Sequence, residues 1–120
     1  MKHILVVDDH KDGAELVSCM LKMSGFDVHC CAGGADALDH ITSHHKSIEL
    51  VITDWAMPDC DGLWVCHLAN SFGIPSIIVT AHNRPGDQQK ALVNGAVARI
   101  VKPIVPRDLI RLVRRHVLMD

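Results

Sequence analysis

LVITDWAMPDCDG, residues 50–62, decides the fold. An apolar run from Leu50 to Ile52 reaches Asp54 and breaks at once into a loop carrying Pro58, Asp59, Asp61 and Gly62. An apolar run closed by Gly, Pro and Asp reads as a buried strand, which puts Asp54 at the strand's C-terminal tip. In open α/β sheets ligands bind at that edge, so a lone carboxylate there is a candidate site. Taken by itself, it is equally a cap or turn aspartate.

Upstream, the same pattern occurs from His3 to Val7, a run of mostly β-branched residues and leucine that stops at Asp8-Asp9. Ala14, Val17, Met20 and Leu21 then recur at helical spacing, and Ser24-Gly25 suits a helix C-terminus. Val28 to Cys31 is a short second strand, followed by Gly33-Gly34 and a helix whose expected apolar face is Ala35, Leu38 and Ile41. The polar segment Thr42 to Ser47 closes it. Downstream of the central loop, Asp61 is an expected N-cap, with Val65, Leu68, Ala69 and Phe72 as the buried stripe of a third helix that ends at Gly73 and Pro75. Ser76 to Thr80 reads as a fourth strand. The loop His82 to Gly86 holds the turn signal Pro85-Gly86, and a short helix follows from about Asp87 to Asn94, stopped by Gly95. Val97 to Val101 is a fifth strand, interrupted in character by Arg99, and it delivers Lys102-Pro103. The last helix begins near Pro106 and carries Leu109, Ile110, Leu112, Val113 and Val117.

Strands alternating with helices at this pitch predict one α/β domain over residues 1–120, a doubly wound five-stranded parallel sheet flanked by five helices. Right-handed crossovers place every strand's C-terminal tip on one edge. Asp8, Asp9, Asp54, Thr80 and Lys102 collect there.

The whole chain narrows the classes. With 120 residues, 48% of them hydrophobic, there is material for one core and no second folded domain. A formal charge of -2 makes no case for direct nucleic-acid binding. No apolar run nears the roughly twenty residues of a membrane span, and the N-terminus meets acid at Asp8, unlike a signal peptide, so a cytoplasmic protein is expected. Five cysteines form no repeating framework and read as reduced thiols, several of them core fillers, with Cys60 expected to be exposed. Among nine histidines, His40 and His44 have the i, i+4 spacing of a helical ligand pair. With no third ligand of clear spacing, a solvated helix end is the preferred reading.

Carboxylates gathered at one edge repel; a pair about 4 Å apart costs on the order of 4 kcal/mol at an effective dielectric near 20. A cation is therefore expected between them, and a few oxygen ligands suit Mg²⁺. Lys102 supplies a mobile ammonium for a phosphoryl oxygen, and Thr80 a hydroxyl. This is equipment for phosphoryl transfer, with Asp54 as the natural nucleophile of an aspartyl phosphate. Each residue has a plainer role available by itself: helix caps for Asp8 and Asp9, a strand position for Thr80, a solvated end for Lys102.

In order along the chain, ILVVDD at Ile4 to Asp9, DWAMPDCDG at Asp54 to Gly62, IIVTA at Ile77 to Ala81, NGA at Asn94 to Ala96 and VKP at Val101 to Pro103 resemble the receiver domain of two-component response regulators. The loop is especially similar to the chemotaxis type. The resemblance implies a flavodoxin-like sheet of order 2-1-3-4-5 and phosphorylation of Asp54 from a sensor histidine kinase or a histidine phosphotransfer protein. It implies Mg²⁺, with Mn²⁺ as substitute, on Asp9 directly, on Asp8 partly through water, on Asp54 and on the Ala56 backbone carbonyl. Thr80 and Lys102 would hold the phosphoryl group, with Lys102-Pro103 a cis peptide. The domain would be a phosphoacceptor switch that assists its own phosphorylation and dephosphorylation, without being an enzyme in the ordinary sense.

The chain departs from that family at Arg99, where relatives place an aromatic ring three residues before the lysine; it has no tyrosine. Arg99 is expected to stay outward, making the face between the fourth and fifth helices more basic. His82 and Ala56 occupy positions that border the path of attacking water in relatives. Val105 is a poor N-cap. Arg107, Arg111, Arg114 and Arg115 line the last helix as a solvated face, or alternatively as a surface for an acidic partner or for a dimer formed on phosphorylation by an otherwise monomeric protein. Two other functions stand beside the switch: a Mg²⁺-dependent aspartyl-phosphate hydrolase, disfavoured because Asp8 and Asp9 are adjacent rather than Asp-x-Asp, and a receiver-like binding module that needs no phosphate. Output and cognate partners are not written in these residues, whether the chain is free-standing, a relay intermediate or part of a larger protein.

Overall fold

The computed structural model describes residues 2–117. Strands β1 (His3–Val7), β2 (Val28–Cys31), β3 (Ile48–Asp54), β4 (Ser76–Thr80) and β5 (Ala96–Val101) alternate with helices α1 (Lys11–Met23), α2 (Gly34–His44), α3 (Gly62–Ser71), α4 (Asp87–Val93) and α5 (Pro106–His116). The sheet is parallel, in the order β2-β1-β3-β4-β5.

Both faces of the sheet are covered, and the two-residue period of each strand sorts its side chains between them. Ile4, Val6, Leu50, Ile52, Ile77 and Val79 join Val17, Leu21, Leu109 and Val113 in a core against α1 and α5. Leu5, Val7 and Val51 join Ala37, Ile41, Val65 and Ala69 on the other side, against α2 and α3. Continuously apolar strands are therefore required, since each residue of a central strand meets a helix on one face or the other. Burying one such side chain stabilises the fold by about 1.5–3 kcal/mol.

Helix ends follow local chemistry. Asp61 caps α3, its side chain accepting from the Leu63 N–H at 2.8 Å. At the end of α1 the chain turns through Gly25, whose φ of +93° a side chain would resist, while Phe26 N–H donates back to the Leu21 carbonyl. Val105 gives α5 no side-chain cap, and Pro106 stands in its first turn.

Several expectations from sequence need correction. The buried face of α2 is Gly34, Ala37 and Ile41; Ala35 is exposed and Leu38 is 42% exposed. Thr42 to His44 continue that helix, and only His45–Ser47 closes it, as a 3-10 turn. In α3, Cys66 fills the core beside Val65 and Ala69, whereas Phe72 is 38% exposed beyond the helix. β3 begins earlier, at Ile48, and β5 at Ala96. Cys60 is half-buried against Gly34 instead of exposed; Cys19 and Cys30 are the exposed thiols. Burial pushes the Cys31 thiol up to about 12 and the Cys66 thiol to about 11, as fits inert core fillers.

Candidate functional site

Strand register assembles the site. Val7 pairs with Thr53, so the chain leaves β1 into Asp8-Asp9 beside the end of β3, where Asp54 sits. Asp54 pairs with Val79, and Thr80 with Val101, which brings Lys102 into line with the same edge. Lys102 N–H donates to the Thr80 carbonyl at 2.8 Å and Trp55 N–H to Val79 at 2.9 Å, extending the ladder just past each strand's last residue. The Lys102-Pro103 peptide is cis.

Asp54 is 9% exposed, and Lys102 Nζ lies 3.2 Å from its Oδ1. Burial raises the Asp54 carboxyl above its ordinary value and outweighs the hydrogen bond and charge of Lys102; Asp8 and Asp9 add to the rise. A carboxylate oxygen of each of Asp8, Asp9 and Asp54, together with a ring nitrogen of His10, lie within 4.8 Å of one another. Asp8 is held by the His10 N–H at 2.9 Å. Asp9 Oδ1 is buried and accepts no hydrogen bond, with the ring nitrogen of exposed His10 3.4 Å away; a buried acceptor left without a donor costs about 1–3 kcal/mol. An orphaned oxygen within a convergent set of hard oxygen donors fits a Mg²⁺ ion.

Thr80 is 1% exposed, and its Oγ1 accepts the His82 N–H at 3.1 Å. The His82 ring meets Trp55 edge to face at 4.8 Å. Its Nδ1 lies 2.7 Å from Asp87 Oδ2, and its Nε2 lies 3.0 Å from an Arg84 guanidinium nitrogen. Ala56 is exposed and bridges to Asp61 across the loop after β3. Arg99 is half-buried; it donates to Gln88 Oε1 on α4 and Asn83 Oδ1 in the preceding loop, both at 3.2 Å. Arg107, Arg111, Arg114 and Arg115 are exposed along α5.

Two side chains not anticipated from sequence organise the surroundings. Asp59 accepts the N–H groups of Gly34 and Ala35, tying the loop after β3 to the start of α2. Those two bonds, the largest influences on it, hold the Asp59 carboxyl below its ordinary value. Asp87 is 1% exposed and anchors the loop after β4, accepting the Arg84 N–H at 2.8 Å in addition to facing His82. Its only signal was a histidine five residues upstream, which reads more simply as two surface residues. Burial alone would raise the Asp87 carboxyl, but the Arg84 N–H, the His82 ring and the Arg84 charge together bring it down to about 2. A depressed carboxyl contributes stability above its unfolded value, about 3.9, and loses it as pH falls through the folded value. Thermal melts of Asp87→Asn across that acid range are therefore expected to depend less on pH than the parent's. Parallel pH profiles for the two proteins would contradict the role given to Asp87.

The model of the response regulator receiver domain matches residues 4–114. Among solved structures, the chain is similar to the chemotaxis protein CheY4 of Vibrio cholerae, with 26% identity and a TM-score of 0.87 over 98% of this chain and 99% of that one. A CheY-like receiver domain protein of Methanospirillum hungatei is 28% identical, with a TM-score of 0.87 over 96% and 92% of the two chains. The receiver domain of a NarL response regulator from Mycobacterium tuberculosis is 27% identical, with a TM-score of 0.82 over 95% and 94%.

Proposed function

Because the chain belongs to the response regulator receiver domain family of two-component systems, we propose that it is a phosphorylation-controlled switch in which Asp54 accepts a phosphoryl group from a phosphohistidine. The donor is a sensor histidine kinase or a histidine phosphotransfer protein. One observation carries the reading: a buried carboxylate at a strand tip, with an ammonium 3.2 Å to one side and two acids, one of them with an unsatisfied oxygen, to the other.

In this reading an Asp54 carboxylate oxygen attacks phosphorus, the P–N bond breaks, and the donor imidazole leaves as the neutral ring after taking up a proton. Lys102 exchanges its contact with Asp54 for one with a phosphoryl oxygen, so its charge follows the charge being transferred. The Thr80 hydroxyl, whose oxygen already accepts the His82 N–H, has its proton to donate to a second phosphoryl oxygen. Asp8, Asp9 and Asp54, with the Ala56 carbonyl, would hold Mg²⁺ or in its place Mn²⁺, which supplies positive charge opposite Lys102. His82 is engaged by Asp87 and Arg84, so its ring acts on the loop after β4 more directly than on attacking water.

Movement of Thr80 toward the phosphoryl group would pull on that loop through His82, and Asn83 in the same loop is bonded to Arg99. Phosphorylation then shifts a pre-existing balance between two arrangements of the α4 and β5 face. The test is incubation with a small phosphodonor, with and without Mg²⁺. One hydroxylamine-sensitive acyl phosphate per chain, mapped to Asp54 and abolished by chelator, is expected. Incorporation at a histidine or serine, or labelling indifferent to chelator, would refute the assignment.

A further inference from the structure

A group of histidines lies at the opposite end of the sheet from Asp54, outside all of this chemistry. β1 starts at His3 and ends beside Asp8, so His3 marks the far edge. By the two-residue period, His3 shares the face of Leu5 and Val7, and His29 that of Cys31, which is the face α2 covers. Helix α2 must run back from the tip of β2 to the start of β3, and its last turns therefore arrive over the beginning of β1. His40 and His44 are carried there one turn apart.

The result is a stack of imidazoles. His3 Nε2 lies 2.8 Å from His40 Nε2. The rings of His29 and His40 are parallel within 8° at 4.0 Å, and those of His40 and His44 are stacked at 4.5 Å. Beside them is a hollow of about 300 Å³ lined by Asp36, Asp39 and Ser43 as well as His29, His40 and His44.

We propose that His3, His40 and His44 form a binding site for a borderline divalent transition-metal ion of the Zn²⁺ class, with His29 stacked behind His40. Imidazole nitrogens suit Zn²⁺ and its neighbours and not Mg²⁺, so this site and the carboxylate site select different ions. Two nitrogens that each bind one ion at about 2.0–2.1 Å in tetrahedral geometry sit a little over 3 Å apart, close to the His3–His40 separation. At 2.8 Å the two nitrogens share an N–H···N hydrogen bond, so an incoming ion displaces that proton and parts the rings by about 0.5 Å to take both lone pairs. Stacked rings show faces rather than lone pairs to each other, so His44, which is exposed, rotates to bring its nitrogen in. Its i, i+4 relation to His40 is the spacing of a helical ligand pair. Asp36 and Asp39 line the same hollow as His40 and His44 and make it acidic. A bound ion would clamp the start of β1 to the end of α2.

Titration of the metal-stripped chain with Zn²⁺ alone, in a background of saturating Mg²⁺ to fill the carboxylate site, tests this. One Zn²⁺ per chain and a higher melting temperature are expected. His40→Gln and, separately, the surface change His44→Gln are each expected to weaken binding about tenfold or more. Absence of Zn²⁺ binding, or binding of full strength in both variants, as exposed Cys30 or the carboxylates alone would give, overturns the proposal.

Discussion

Asp54→Asn is expected to abolish acyl-phosphate formation and, in the same protein, to raise thermal stability. The first effect follows because a neutral amide oxygen is too weak a nucleophile to form the acyl phosphate of the proposed switch. The second follows from the carboxyl's environment. Burial raises Asp54, and Asp8 and Asp9 raise it further, against the opposing pull of Lys102. For a group raised in the fold, stability is fully present below its unfolded value, about 3.9, and is lost as pH rises through the folded one. At neutral pH the parent therefore carries the cost of a charged, partly desolvated carboxylate, which asparagine removes at nearly the same volume. A rise of a few degrees in melting temperature at pH 7 in the presence of chelator is the expected size. Adding Mg²⁺ is expected to narrow the gap, because the parent gains more from a cation than the variant does. A variant that melts below the parent in chelator would show that Asp54 is stabilising as a charge, contrary to the site's electrostatics.

Gly62→Ala is expected to be the most damaging small substitution in the loop that carries the site. A methyl there would stand 2.1 Å from the Asp54 carbonyl oxygen and 2.8 Å from the Trp55 Cα. These are main-chain atoms and cannot step aside as a side chain can. Asp54 is the last residue of a central strand, its carbonyl already accepts the Thr53 hydroxyl at 3.0 Å, and Trp55 is fixed to β4 through Val79. Gly62 itself donates to the Trp55 carbonyl at 2.7 Å, so moving α3 away breaks that bond as well. The cost belongs at or beyond the upper end of overpacking, about 3 kcal/mol, a large part of the stability of a typical domain. Urea unfolding measures it directly. A loss below about 1 kcal/mol would mean that α3 can shift without resistance.

How much was legible beforehand depended on the kind of contact. The strands were readable because a doubly covered parallel sheet leaves no polar alternation, so Leu50 to Ile52 and Ser76 to Thr80 stand out as runs. The same logic put Asp8, Asp9, Asp54, Thr80 and Lys102 at one edge, since all strands of a parallel sheet point the same way. Helix faces were read less well where the helix start was obscured. Gly33-Gly34 hides the start of α2, and a shift of phase turns Ala35 and Leu38 outward and Ala37 inward. Contacts made by loops were not readable at all. The pairing of His82 with Asp87 and the Asp59 cap on α2 each depend on where a turn aims a side chain, which no periodicity records.

Arg99 has a consequence for how this surface meets other molecules. Asn83 and Gln88 hold its side chain, but both are neutral amides, and neither cancels its charge. An aromatic ring acts only on what touches it, whereas a guanidinium acts through its field, over a range of about 8 Å at physiological ionic strength. Encounters on that side of the domain therefore begin before contact, with a rate that salt slows for an acidic partner and raises for a basic one.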